Sequence, residues 1–139
     1  MADDPEVDDT PSPVDDTILF PMFSRYMDEK FEKDQRAYRE VATDPAYAEQ
    51  LIATAELYRT TETFEVGQLV QWKSSMRNRP FPIESVPSVV VEILDPPATV
   101  DTDGELLIEP RDLLIGFLDG ERVFRLAQVP AARFRSFTP

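Results

Sequence analysis

The hydrophobic period of this chain changes near Phe64, and that change limits it to folds joining helices to a sheet of short strands. Upstream, Phe23, Met27 and Phe31 recur at every fourth position, with Tyr38 and Ala42 in line and Tyr26 and Val41 beside them. Asp28, Glu29, Lys30, Glu32, Lys33 and Asp34 fill the gaps. An apolar stripe on a charged rod predicts an amphipathic helix over 18–43. Pro21 is expected in its first turn, where the missing N–H costs nothing. Glu29–Lys33 and Glu32–Arg36 are acid-before-base pairs one turn apart. Asp44-Pro45 then punctuates, because a residue before proline leaves the α region and Asp caps a following helix. Ala48, Leu51, Ile52, Ala55 and Tyr58 form a second stripe, so a second helix is expected over 45–59. Residues 18–61 thus read as a two-helix segment, a helical hairpin.

Downstream, FEVGQLVQWK (64–73) alternates, SVVVEIL (88–94) is β-branched and too short for a helix, and RFRSF (133–137) ends the chain's last run. DLLIGFL (112–118) and RVFRLA (122–127) flank Asp119-Gly120, a short hairpin signal. The proline-bearing segments 74–87 and 95–110 are expected as long loops. On the better-fitting register Val70 and Trp72 point inward while Gln71 and Lys73 face solvent. Unequal loops, short strands and a terminal hairpin predict a small closed barrel over 62–139, which removes the sheet edges. The fold class is therefore α+β, with a five-stranded antiparallel barrel after the helical pair.

Composition narrows the chemistry. The chain of 139 residues holds no histidine and no cysteine, so no imidazole base, thiol nucleophile, zinc finger or disulfide framework can be built within it. Asp95, Glu109 and Asp112 are available carboxylates, but their spacing selects no acid–base pair. Asp101–Glu105 is acidic and contains Gly104, yet Pro110 stands where a calcium loop needs its bidentate Glu. A plain acidic turn is expected there, and no cofactor or metal. The 27 acids outweigh 14 bases for a net charge of −13. Residues 1–63 carry 16 acids against 6 bases, and residues 64–139 carry 11 against 8. Phosphate binding rests on Lys/Arg contacts, so this field opposes nucleic acid. Residues 1–17 hold seven acids and three prolines and read as a disordered acidic tail. Without a basic n-region or an apolar h-region, that terminus predicts a cytoplasmic location.

The order GQLVQWK, a long proline-bearing loop, SVVVEIL, a second loop, DLLIGFLDGERVFRLAQVP, the turn AAR and FRSF resembles an SH3-like β-barrel over about 64–139. The resemblance implies a hairpin, a single tight helical turn at VPAAR, and a last short strand. The ALYDY-type aromatic segment and the paired-tryptophan hairpin of the peptide-binding eukaryotic members are missing, so recognition of PxxP peptides is not implied.

Two features suit partner binding. Met76, Arg77, Arg79 and Phe81 interleave cations and apolar groups on one acid-free loop, beside Trp72, the sole tryptophan. The helix stripe of Phe23, Met27, Phe31 and Tyr38 is long enough to reach past a small barrel. The expected function is a non-enzymatic module that binds a protein partner through the stripe and the 74–82 loop. Homo-oligomerisation through the stripe is one form of this. The alternatives are nucleic-acid contact by Trp72, Arg77, Arg79 and Phe81, or an acidic mimic of nucleic acid built on the tail.

Overall fold

The computed structural model describes residues 13–139, with side chains from residue 21 onward. The tail expected over 1–17 lies outside the described residues as far as residue 12. From Pro13 the chain is already helical, and α1 runs Pro13–Ala42. Pro21 consequently sits inside the helix rather than in its first turn, where its absent N–H leaves one i→i−4 bond unmade. Lys30 and Asp34 form the exposed ion pair, at 3.0 Å. Among the described residues neither Glu29–Lys33 nor Glu32–Arg36 is paired. The Asp44 punctuation holds: its Oδ1 accepts the Ala46 N–H at 2.8 Å, and α2 follows as Tyr47–Arg59. The chain divides into two units at Ala48, so most of α2 belongs with the strands that follow.

The second unit carries β1 (Leu69–Trp72), β2 (Ser88–Val100), β3 (Leu106–Leu118), β4 (Phe124–Val129) and β5 (Phe134–Ser136). They form one antiparallel sheet in the order β4-β3-β2-β1-β5. The end strands β4 and β5 do not pair with each other, so the sheet is not closed into the expected barrel. The three-residue β5 is taken up by β1, through Val70↔Ser136 and Trp72↔Phe134. A single 3₁₀ turn, Ala131–Arg133, carries the chain from β4 to β5. It lies where the tight helical turn was expected.

Segment 95–110 is not a loop. β2 and β3 continue through it as a two-stranded arm, with Ala98↔Arg111 and Val100↔Leu106 in register. Pro96, Pro97 and Pro110 are tolerated because the pairing shifts register on either side of Ala98, and proline enters sheets at such irregularities or on free edges. The arm turns at Asp101–Glu105. There Asp101 Oδ1 accepts the N–H of Asp103 at 2.8 Å and of Glu105 at 2.9 Å. The β3–β4 hairpin turns in the same way. Asp119 Oδ1 accepts the N–H of Glu121 at 2.8 Å and of Val123 at 2.9 Å. This turn is longer than the two-residue Asp-Gly loop the sequence suggests. The fourth residue of each turn has positive φ: Gly104 at 83° and Arg122 at 64°.

The core lies on one face of the sheet. Val70, Trp72, Val90, Leu113, Ile115, Val129 and Phe134 are buried, joined by Phe64 and Met76 from the flanking segments. Each large aliphatic or aromatic side chain so buried contributes about 1.5–3 kcal/mol. The Trp72 and Phe134 rings lie 4.3 Å apart, tilted by 32°. Lys73 was expected at the surface but is 2% exposed. Its Nζ donates to the carbonyls of Leu57 at 2.5 Å and Thr60 at 2.8 Å. Those carbonyls lie at the end of α2, where helical partners run out, so the ammonium binds the helix end to β1.

Candidate functional site

Among the described residues nothing covers the four stripe residues of α1. Phe23, Met27, Phe31 and Tyr38 are all exposed, Phe31 by 62%, as are Met22, Tyr26 and Val41. In α2, Leu51 and Ile52 are likewise exposed, and only Tyr58 of that stripe packs against the core cluster.

The 74–82 loop separates its candidates. Trp72 is 3% exposed, and its Nε1 donates to the Pro82 carbonyl at 2.8 Å. It is a core residue that ties down the loop, and it offers no ring face to a ligand. Arg77 donates to the Pro80 carbonyl at 3.1 Å and stands 3.8 Å from Glu84. Phe81 is 60% exposed. With Leu69, Ile83, Val86, Phe117 and Phe124 it lines an open apolar groove of about 520 Å³ between this loop and the β3–β4 hairpin. Arg79 borders a second cleft, of about 590 Å³, with Arg111, Ile108 and Gln128, and shares a third, of about 500 Å³, with Phe81, Phe117 and Asp119. Burial, and then the Arg111 cation, lower the Arg79 pKa from its ordinary value. Among the described residues neither Arg79 nor Arg111 has a carboxylate partner.

Glu109, in the same cleft, is engaged. It accepts from Tyr58 Oη at 2.5 Å and from Arg133 Nε at 2.9 and 3.0 Å. Arg133 also donates to the Met76 carbonyl at 2.8 Å and lies 5.6 Å from the Tyr58 ring centroid. This cluster fastens α2, β3, the 3₁₀ turn and the loop to one another. Among the described residues no group of three or more Asp or Glu is placed to hold a metal ion, and no helix is long and apolar enough to cross a membrane.

Sequence reasoning did not single out Arg111, Ile108, Phe117 or Phe124. The signal for Arg111 and Ile108 was weak, since LLIEPRDLLI sets two apolar runs on either side of a polar, proline-bearing EPRD without alternating, and the proline pointed to a loop. Phe117 and Phe124 are brought beside Phe81 only by the Leu118↔Phe124 register of the hairpin.

Comparison with family models, curated proteins and solved structures found no match to the chain.

Proposed function

We propose that the chain is a non-enzymatic protein-interaction module, an adaptor or assembly component. It takes a protein partner on the α1 stripe of Phe23, Met27, Phe31 and Tyr38, and on the loop around Arg77, Arg79 and Phe81. The observation that carries this reading is the stripe itself, an aromatic-rich face left in water along a charged helix. Contiguous exposed apolar surface of this kind marks interaction sites in folded proteins. The apolar groove at Phe81 adds a second anchor point of the sort that holds an aromatic or aliphatic side chain.

The architecture that presents these surfaces is read as an opened SH3-like arrangement. The strand order and the 3₁₀ turn between the last two strands support it. A cytoplasmic location is part of the same proposal. The nucleic-acid alternative loses its stacking platform with the burial of Trp72, and the net charge of −13 opposes it further. The acidic-mimic alternative concerns the tail, most of which lies outside the described residues.

The test replaces Phe23, Met27 and Phe31 together by Ser in one variant and reverses Arg77 and Arg79 in another. Partner capture by the full chain falls at least about tenfold in the first variant, since loss of buried aromatic anchors costs 2 kcal/mol or more. Undiminished capture with an unchanged fold rejects the reading.

A further inference from the structure

Beyond β4, the outer edge of β3 has no pairing strand among the described residues. β3 pairs with β4 only from Leu113 onward, where Leu113 meets Val129. The chain then leaves through Pro130 into the 3₁₀ turn. Residues 106–111 keep β2 on one side and, among the described residues, have no strand on the other. The cleft bordered by Arg79, Ile108, Arg111, Gln128 and Pro130 lies at the end of β4, beside this edge. Leu106 and Ile108 are 82% and 104% exposed, which is unusual for aliphatic residues in paired strands. The cleft holds two guanidinium groups, Arg79 and Arg111, near enough for the Arg111 charge to act on Arg79. Its one carboxylate, Glu109, is engaged by Tyr58 and Arg133.

We propose that the β3 edge over 106–111 is a docking strip for an extended acidic peptide of a partner protein. The peptide adds to the sheet as a strand and places its carboxylates on Arg79 and Arg111. Main-chain hydrogen bonds to a free edge supply affinity, and side-chain sites along it supply selectivity. Guanidinium forks match carboxylates in planar, two-point contacts. The unfavourable field of the acidic N-terminal half is screened beyond about 8–10 Å at physiological salt, so the local arginine pair decides what binds. The aliphatic rim at Leu106 and Ile108 fits the apolar residues that alternate with acids along an extended segment. The inference deepens the protein-binding reading and shares Arg79 with it. It is read in a separate assay from capture by the α1 stripe, so either can fail alone.

The test is fluorescence anisotropy of the full chain with a short labelled peptide alternating Glu and Val. Its controls are the same peptide with Lys for Glu, the same peptide N-methylated at alternate amides, and inorganic phosphate as competitor. Saturable binding of the Glu peptide is expected. It should weaken about tenfold or more in Arg79→Glu and in Arg111→Glu, and be lost on N-methylation and with the Lys peptide. Unchanged far-UV dichroism and thermal midpoint show that each variant is folded; Arg111→Gln serves where the reversed charge unfolds the chain. Absence of binding at low salt, equal affinity in the arginine variants, indifference to N-methylation, or displacement by millimolar phosphate each overturns the proposal.

Discussion

The Tyr58 hydroxyl donates a 2.5 Å hydrogen bond to Glu109, joining the last turn of α2 to β3 across 51 residues of sequence. Arg133 holds the other side of the same carboxylate. Removing only the donor, as in Tyr58→Phe, is expected to cost about 1 kcal/mol. Glu109→Gln leaves the half-buried Arg133 without its anion, and about 2–3 kcal/mol is expected. The Tyr58 pKa is raised, chiefly by the hydrogen bond to Glu109 and then by burial. A raised acid keeps its stabilising proton at every pH below the unfolded-state value of 10.0 and loses the benefit as pH climbs through the folded-state value. Denaturant melts of wild type and Tyr58→Phe should therefore differ at neutral pH and converge in strong base.

Lys73 is the surface residue of the alternation that turned inward. Burial lowers its pKa, with the Glu62 charge acting in the opposite direction. Lys73→Met fills the space but leaves the Leu57 and Thr60 carbonyls without their donor. A loss of about 1–3 kcal/mol is expected. Amide exchange should speed up first in the last turn of α2; uniform exchange across the second unit would contradict this role.

The two Asp-led turns make a matched pair of predictions. Arg122 holds a left-handed conformation that costs a side-chain residue about 1–2 kcal/mol, and Gly104 fills the equivalent place in the other turn. Arg122→Gly should thus stabilise the chain, by up to about 1 kcal/mol after the added freedom of the unfolded glycine. Asp119 has a lowered pKa because the Val123 N–H, then Arg125 and the Glu121 N–H, bond its carboxylate. A depressed acid stabilises the fold above the unfolded-state value of 3.8 and loses that as pH falls through the folded-state value. Asp119→Asn should be less stable than wild type at neutral pH, with the gap closing in acid. A gap that persists at the lowest pH would contradict the assignment.

Gly116 lines the floor of the Phe81 groove, and a Cβ there would meet the Phe124 ring and Val91. Phe124 is exposed and can swing away. Gly116→Ala is therefore expected to reshape the groove at a stability cost of about 1–2 kcal/mol. In NMR spectra, chemical-shift changes should concentrate at Phe81, Phe117 and Phe124. Changes spread through the Leu113–Ile115 core would show that the ring had not moved aside.

Periodicity marked both helices and all five strands, although β2 and β3 each run six residues further than it showed, and the 3₁₀ turn lies where the resemblance implied a tight helical turn. Periodicity placed Val70 and Trp72 on the inner face. It failed at Pro96, Pro97 and Pro110, where local proline chemistry favoured a loop and a shifted β2–β3 register absorbed the cost. It failed at Lys73, whose partners are carbonyls of a helix that no strand pattern reveals. Closure of the sheet was also misjudged, since pairing of β4 with β5 depends on where a three-residue turn delivers the chain. Of the binding candidates, the α1 stripe and Phe81 stood out by spacing and composition. Arg111 did not, because its relation to Arg79 exists only once the arm has formed.

The account stands or falls on whether one face of α1 meets a partner. A photo-crosslinking amino acid placed at Phe31 or Tyr38 in the full chain, and at Glu29 on the opposite face of α1, reads this directly in the native cell. The account predicts one defined adduct, a second copy of the chain included, from Phe31 and Tyr38 and none from Glu29. No adduct from any position, or the same products from both faces, would contradict it.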